Sequence, residues 1–181
     1  MSARAFVDPH LFTVAEYYRM ADAGVFKADD RVELIEGEIV EMSPTGSRHA
    51  GVVDRFGNLL TRTLMSSQIR VQNPVRLNDR SEPLPDVSVL QPRKDFYTES
   101  QPTPAEVVFL VEVADSSLMY DRRTKIPLYL RSGIAEVWLV DLVNHAIEVH
   151  TPAGMQRFRA GETVISSALP ELKIAVDDLP M

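Results

Sequence analysis

Apolar residues recur at helical spacing in one long stretch of this chain and run together or alternate in several others. From Arg48 to about Leu64, Val52, Val53, Phe56, Leu59, Leu60 and Leu64 fall on one stripe. That spacing predicts an amphipathic helix with the stripe buried. An earlier helix is predicted where Thr13 and Glu16 form a capping box and Gly24 can close the far end. Between them, V-E-L-I-E-G-E-I-V-E-M reads as a hairpin turning at Glu36-Gly37. Ile69 to Leu77 and Leu84 to Leu90 are strand-like, separated by the turn chemistry N-D-R-S-E-P. V-V-F-L-V-E-V is a continuous β-branched and apolar run, the pattern of a central strand covered on both faces. Tyr120 to Ser132 predicts a third helix ending at Gly133, and Pro127 inside it should kink it or push its start later. E-V-W-L-V-D and A-I-E-V-H then form a hairpin around Val143-Asn144-His145, followed by short strands near Phe158, Val164 and Ile174. The order is that of an α/β or α+β domain, a mixed sheet with helices packed on it.

Composition narrows the chemistry. A chain of 181 residues fits one domain, 1–181, with 1–11 expected as a flexible N-terminal segment and Gln91 to Pro104 as a surface loop. There is no cysteine, which excludes disulfides, zinc thiolate sites and cysteine nucleophiles. The formal charge of −7 excludes a general basic surface for coating nucleic acid. A nucleic-acid substrate then requires local positive patches or bridging metal ions. Arg48, Arg55 and Arg62, seven apart on the second helix, together with Arg70 and Arg76, could supply such a patch. No signal peptide or membrane-length apolar run is apparent, so a cytoplasmic protein without membrane association is expected. P-loop, G-x-G-x-x-G and G-x-S-x-G motifs are absent.

Three acids break the pattern of their own elements. Glu112 lies inside the most apolar run, where an unpaired charge costs several kcal/mol, roughly, and must be offset by an arginine, a proton or a metal. Alternatively it sits at the strand end and reaches solvent. Asp86, in L-P-D-V-S-V-L, follows Pro85 and is either a strand-start cap or a functional acid. Hairpin register pairs residue 33 with 40 and 35 with 38, which puts Glu33 on an apolar face with Ile35, Val40 and Met42. Lys125, on the helix after the Glu112 strand, could equally be a solvated surface lysine. An Asp and a Glu from neighbouring strands plus one more Glu make an all-oxygen site suited to Mg²⁺ or Mn²⁺. His49 is an auxiliary candidate for orienting a phosphate or a water; Glu38 and Glu41 read as solvated, with Glu38 kept as a possible auxiliary acid. His10, His145 and His150 show no ligand spacing.

Pro85-Asp86, then Glu112 in V-E-V-A, then a lysine, resembles the PD-(D/E)xK nuclease superfamily. The lysine that usually lies two residues after the acid is replaced here by Ala114. More closely, the chain resembles the Uma family of restriction endonucleases within that superfamily. The similarity rests on V-E-L-I-E-G-E-I-V-E-M-S-P, His49, L-P-D-V-S-V, V-E-V-A-D-S-S, Y-D-R-R-T-K and E-V-W-L-V-D, and runs from about Phe12 to the end. In that family the lysine has migrated to the next helix, which fits Lys125. The resemblance implies a restriction-endonuclease-like fold and a Mg²⁺-dependent endonuclease acting on DNA. It implies Asp86 and Glu112 as metal ligands, Lys125 as catalytic lysine and Glu33 as an auxiliary acid.

The alternatives are a nuclease fold serving as a binding or assembly module, and an enzyme acting on a small phosphorylated substrate. A homodimer is expected if two strands are cut. Carboxylates gathered without metal should repel one another, so the pKa of both Asp86 and Glu112 is expected to be raised, and Asp86→Asn to be stabilising without metal.

Overall fold

The computed structural model describes residues 8–27, 29–44 and 46–179; most of the expected flexible segment 1–11 lies outside them. Helix α1 (Val14–Asp22) starts at the predicted capping box, with the Glu16 amide donating to Thr13 Oγ1 at 3.2 Å and the Thr13 amide to the Glu16 carboxylate at 2.8 Å. Strands β1 (Val32–Ile35) and β2 (Glu38–Glu41) pair in the expected register, Glu33 opposite Val40 and Ile35 opposite Glu38. Both turn residues have positive φ, 52° at Glu36 and 86° at Gly37, as a tight two-residue hairpin requires. A Cβ on Gly37 would lie 2.6 Å from that of Leu11, so glycine is needed there twice over.

Helix α2 (Ser47–Thr63) buries the predicted stripe against a six-stranded sheet. The sheet runs β3 (Gln68–Val71), β4 (Val87–Leu90), β5 (Val107–Ala114), β6 (Val137–Asp141), β7 (Ala146–Thr151) and β8 (Gly154–Arg159). Every neighbouring pair is antiparallel except β5 and β6, which are parallel. Helix α3 (residues 118–131) is the crossover that this parallel pair demands. Val111 and Val113 face the core under α2, whereas Leu110 and Ala114 face the core under α3. A small antiparallel pair, β9 (Thr163–Ile165) and β10 (Lys173–Ala175), closes the α2 side. The mixed sheet flanked by helices is the architecture expected. No helix among the described residues is long and apolar enough to cross a membrane.

Three elements differ from expectation. The strand expected over Ile69 to Leu77 stops at Val71, because Gln72 takes a left-handed φ of 51° and Pro74 brings no N–H. The strand expected from Leu84 begins at Val87, after Pro83 and Pro85. Pro127 neither delays α3 nor ends it. The helix opens at Leu118, widens into a π turn over Asp121–Lys125, and continues through Ile126–Arg131. Ile126 N–H reaches back to the Asp121 carbonyl, and the wide turn gives the proline ring the room an α turn would deny it.

Glu136, just before β6, ties the β9 region to the sheet and is fully buried. It accepts from Trp138 Nε1 at 2.6 Å, Ser166 Oγ at 2.8 Å, the Ser167 amide at 2.7 Å and the Ala168 amide at 3.2 Å, and also from the Ser167 hydroxyl. Glu136→Ala leaves the Trp138 indole and the Ser166 hydroxyl buried and unpaired. We expect a loss of about 3 kcal/mol, or roughly 6–12 °C in melting temperature by circular dichroism.

Candidate active site

One cavity of about 420 Å³ opens where β4 starts and β5 ends, and Glu33, Asp86, Glu112 and Lys125 all line it. Each arrives from a different element. Glu33 comes from the buried face of β1, Asp86 from the residue before β4, Glu112 from the middle of β5 and Lys125 from the π turn of α3. All four are at most 6% exposed. The solvated-surface reading of Lys125 and the solvent-reaching reading of Glu112 are therefore excluded. His49 also lines the cavity, from the first turn of α2. Glu41 sits at its exposed rim, while Glu38 is exposed and away from it.

The side chains hold one another. Lys125 Nζ lies 2.9 Å from Glu112 Oε1 and 3.3 Å from Glu33 Oε2. Glu112 Oε1 also accepts from the Tyr129 hydroxyl at 2.5 Å, and Glu33 Oε2 from the Leu84 amide at 3.0 Å. Asp86 Oδ2 takes the Val113 amide at 2.9 Å and stands 3.1 Å from His49 Nε2, while Oδ1 accepts from Gln72 Nε2 at 3.2 Å. A carboxylate offers about four lone-pair sites. Glu112 Oε2, Glu33 Oε1 and part of Asp86 Oδ1 are not taken up by these bonds among the described residues.

Burial divides the two central acids. It pushes the Glu112 carboxyl up to about 8 despite Lys125, and repulsion from Asp86 and Asp121 adds to the rise. Burial acts on Asp86 in the same sense, but the His49 hydrogen bond and charge, the Val113 amide and Lys125 outweigh it and hold Asp86 below its ordinary value. The expectation that both acids would be raised is corrected for Asp86, which has partners of its own. Asp86→Asn is accordingly expected to destabilise. Burial disfavours the Lys125 ammonium too, yet Glu112, Tyr129, Glu33 and Asp121 raise it well above a lysine's ordinary value. Lys125 stays a cation at neutral pH.

Sequence reasoning missed Asp121, Tyr129 and Gln72. Asp121 is 4% exposed, lines the cavity and is raised by burial; its Oδ2 accepts from Ser117 Oγ at 2.6 Å. Asp121, Lys125 and Tyr129 stand four apart, the spacing that puts residues on one helix face, and that was the available signal. Nothing local in the sequence marks Gln72. Of the arginines considered for a positive patch, Arg48, Arg55 and Arg62 are exposed on α2. Arg48 donates to the Leu142 carbonyl, Arg55 to that of Asp178, Arg70 to Gln101 and Asn73, and Arg76 to Asp79.

A family model, Uma2, described as "Putative restriction endonuclease", matches residues 14–177. The chain belongs to the Uma2 family. Among solved structures, a DUF820 protein from Anabaena variabilis, described as a "putative nuclease", superposes with a TM-score of 0.73. It is 17% identical, and the match covers 92% of this chain and 96% of that one. At that identity the likeness establishes a shared fold. No curated protein matches the sequence. Arg122 and Arg123 share a helix with Lys125 but take a different course. Arg122 is bound to Asp141 and Glu148 and Arg123 is exposed; neither lines the cavity.

The His49–Asp86 pair has a defined pH window. The lowered Asp86 contributes stability above its unfolded pKa near 3.8, lost as pH falls through the folded value. The Asp86 hydrogen bond raises His49 against burial, so its contribution is full below the unfolded value of 6.5 and lost as pH rises through the folded one. Asp86→Asn should therefore lower the melting temperature in EDTA, by about 2 kcal/mol or roughly 4–8 °C near pH 5, with a smaller gap at pH 8–9. Thermal scans across that range check it; a variant more stable than wild type would refute the pairing.

Proposed function

We propose that this chain is a metal-dependent endodeoxyribonuclease that hydrolyses phosphodiester bonds, with Asp86 and Glu112 as ligands for Mg²⁺ or Mn²⁺. The observation that carries this reading is the meeting of Glu33, Asp86, Glu112 and Lys125, from four separate elements, in one cavity. The donor set fits a hard cation. Carboxylates outnumber the cationic groups around the cavity, and Asp86 and Glu112 retain open oxygen positions. Among the described residues no three acidic or imidazole side chains form a ready cage. That suits Mg²⁺, which is held by one or two carboxylates with water and substrate phosphate completing the shell. A bound divalent cation supplies Lewis-acid stabilisation of the charge developing on the phosphoryl group.

The protein's own groups divide the remaining work. Lys125, permanently charged, acts as a hydrogen-bond donor and electrostatic stabiliser of the transition state rather than as a base. Glu33 fixes the ammonium together with Glu112, as an auxiliary acid. His49 and Gln72 hold the Asp86 carboxylate. Cutting both strands of a duplex calls for two such sites, so a symmetric homodimer belongs to the same proposal. The net charge of −7 means that the DNA is engaged by few phosphate contacts and that binding is weak without metal.

Nicking of supercoiled plasmid in Mg²⁺ or Mn²⁺, abolished by EDTA, tests the reading. Absence of nicking in either metal, with no metal uptake, would leave the nuclease fold as a binding or assembly module. Lys125→Met should reduce nicking at least about 100-fold while Mn²⁺ uptake by calorimetry persists. Undiminished nicking by a folded Lys125→Met protein would remove Lys125 from the chemistry.

A further inference from the structure

Glu112 Oε1 is gripped twice, by Lys125 Nζ at 2.9 Å and by the Tyr129 hydroxyl at 2.5 Å. Both grips come from α3, four residues apart, on either side of Pro127. Tyr129 is fully buried in the apolar core between α3 and the sheet, and Glu112 Oε1 is the acceptor its hydroxyl has there. Apolar packing alone would be met by phenylalanine. A phenol buried at this depth needs a partner, and its partner here is a carboxylate proposed to hold the cation. The two grips differ in permanence. Lys125 lines the cavity and shares its charge with Glu33, whereas Tyr129 lies behind the cavity wall and is not among the groups lining it. Tyr129 therefore holds Glu112 whatever Lys125 does.

We propose that Tyr129 is a positioning residue whose hydroxyl fixes Glu112 Oε1 so that Oε2 is the oxygen offered to a divalent cation. The inference rests on the metal-nuclease reading for its consequence and on the Tyr129–Glu112 bond for its geometry. Partners that orient a metal ligand in this way typically change metal affinity by 10–100-fold, roughly, when removed.

The test compares wild type with Tyr129→Phe, which keeps the ring and removes the donor. Calorimetric titration with Mn²⁺ alone should show affinity reduced by about 10–100-fold. In a Glu112→Gln background, Tyr129→Phe should cause no further loss, because the bond it acts through has already been altered. Leu128→Ala, which removes buried packing on the same helix, should lower the melting temperature and leave Mn²⁺ affinity within about twofold of wild type. Unchanged Mn²⁺ affinity in Tyr129→Phe, or an equal loss in the Glu112→Gln background, would overturn the proposal. A crystal structure of metal-free Tyr129→Phe provides a readout that needs no metal. The Glu112 carboxylate should turn or split between rotamers, and an unmoved carboxylate would overturn the assignment. If wild type takes up no Mn²⁺, the metal reading fails, and the crystal structure alone decides whether Tyr129 positions Glu112.

Discussion

A lysine ammonium removed from water needs carboxylates around it, and a carboxylate removed from water needs either a cation or a full set of hydrogen-bond donors. Lys125 and its two glutamates satisfy each other's requirement, and the neighbouring architecture is arranged around that exchange. β1 must deliver Glu33 from one side, β5 must carry Glu112 through its most apolar stretch, and α3 must bring the ammonium down between them. Losing any one of these charges strands the others in a low-dielectric interior. The hairpin β1–β2, outside the six-stranded sheet, is thereby linked electrostatically to the sheet's centre.

The division between Glu112 and Asp86 follows from the same physics. Glu112 is deep, gains one cation and one phenol, and resists ionisation. Asp86 stands where β4 begins and collects an imidazole, a main-chain amide and an amide side chain, so it ionises readily. Two acids at one cavity thus differ in how readily they ionise before any ligand arrives. That asymmetry is a property of their donors, not of their depth alone.

Much of this was legible in the sequence because the acids sat in places where apolar residues belong. Glu112 in V-V-F-L-V-E-V and Glu33 on its hairpin face were visible as violations of a pattern, and hairpin register followed from Glu36-Gly37. Lys125 was visible only through the family resemblance, since a lysine on a helix violates nothing. Asp121 and Tyr129 were hidden for a related reason: four-residue spacing signals a shared face but not which side that face meets. Gln72 was hidden because its role depends on β3 ending at Val71, where the left-handed backbone of Gln72 itself turns the chain. The π turn was out of reach as well. Pro127 announced a disturbance of the helix, but not whether the chain would kink, stop or widen.

The parallel pairing of β5 with β6 has a consequence for how the molecule is assembled in time. Antiparallel neighbours can zip from a tight turn, but these two strands can align only after the whole of α3 has crossed between them. Lys125 and Tyr129 ride on that crossover, so they meet Glu112 in the step that completes the centre of the sheet. A chain whose sheet is still open has its acids exposed and its lysine elsewhere. A chain without that crossover in place therefore has no finished cavity.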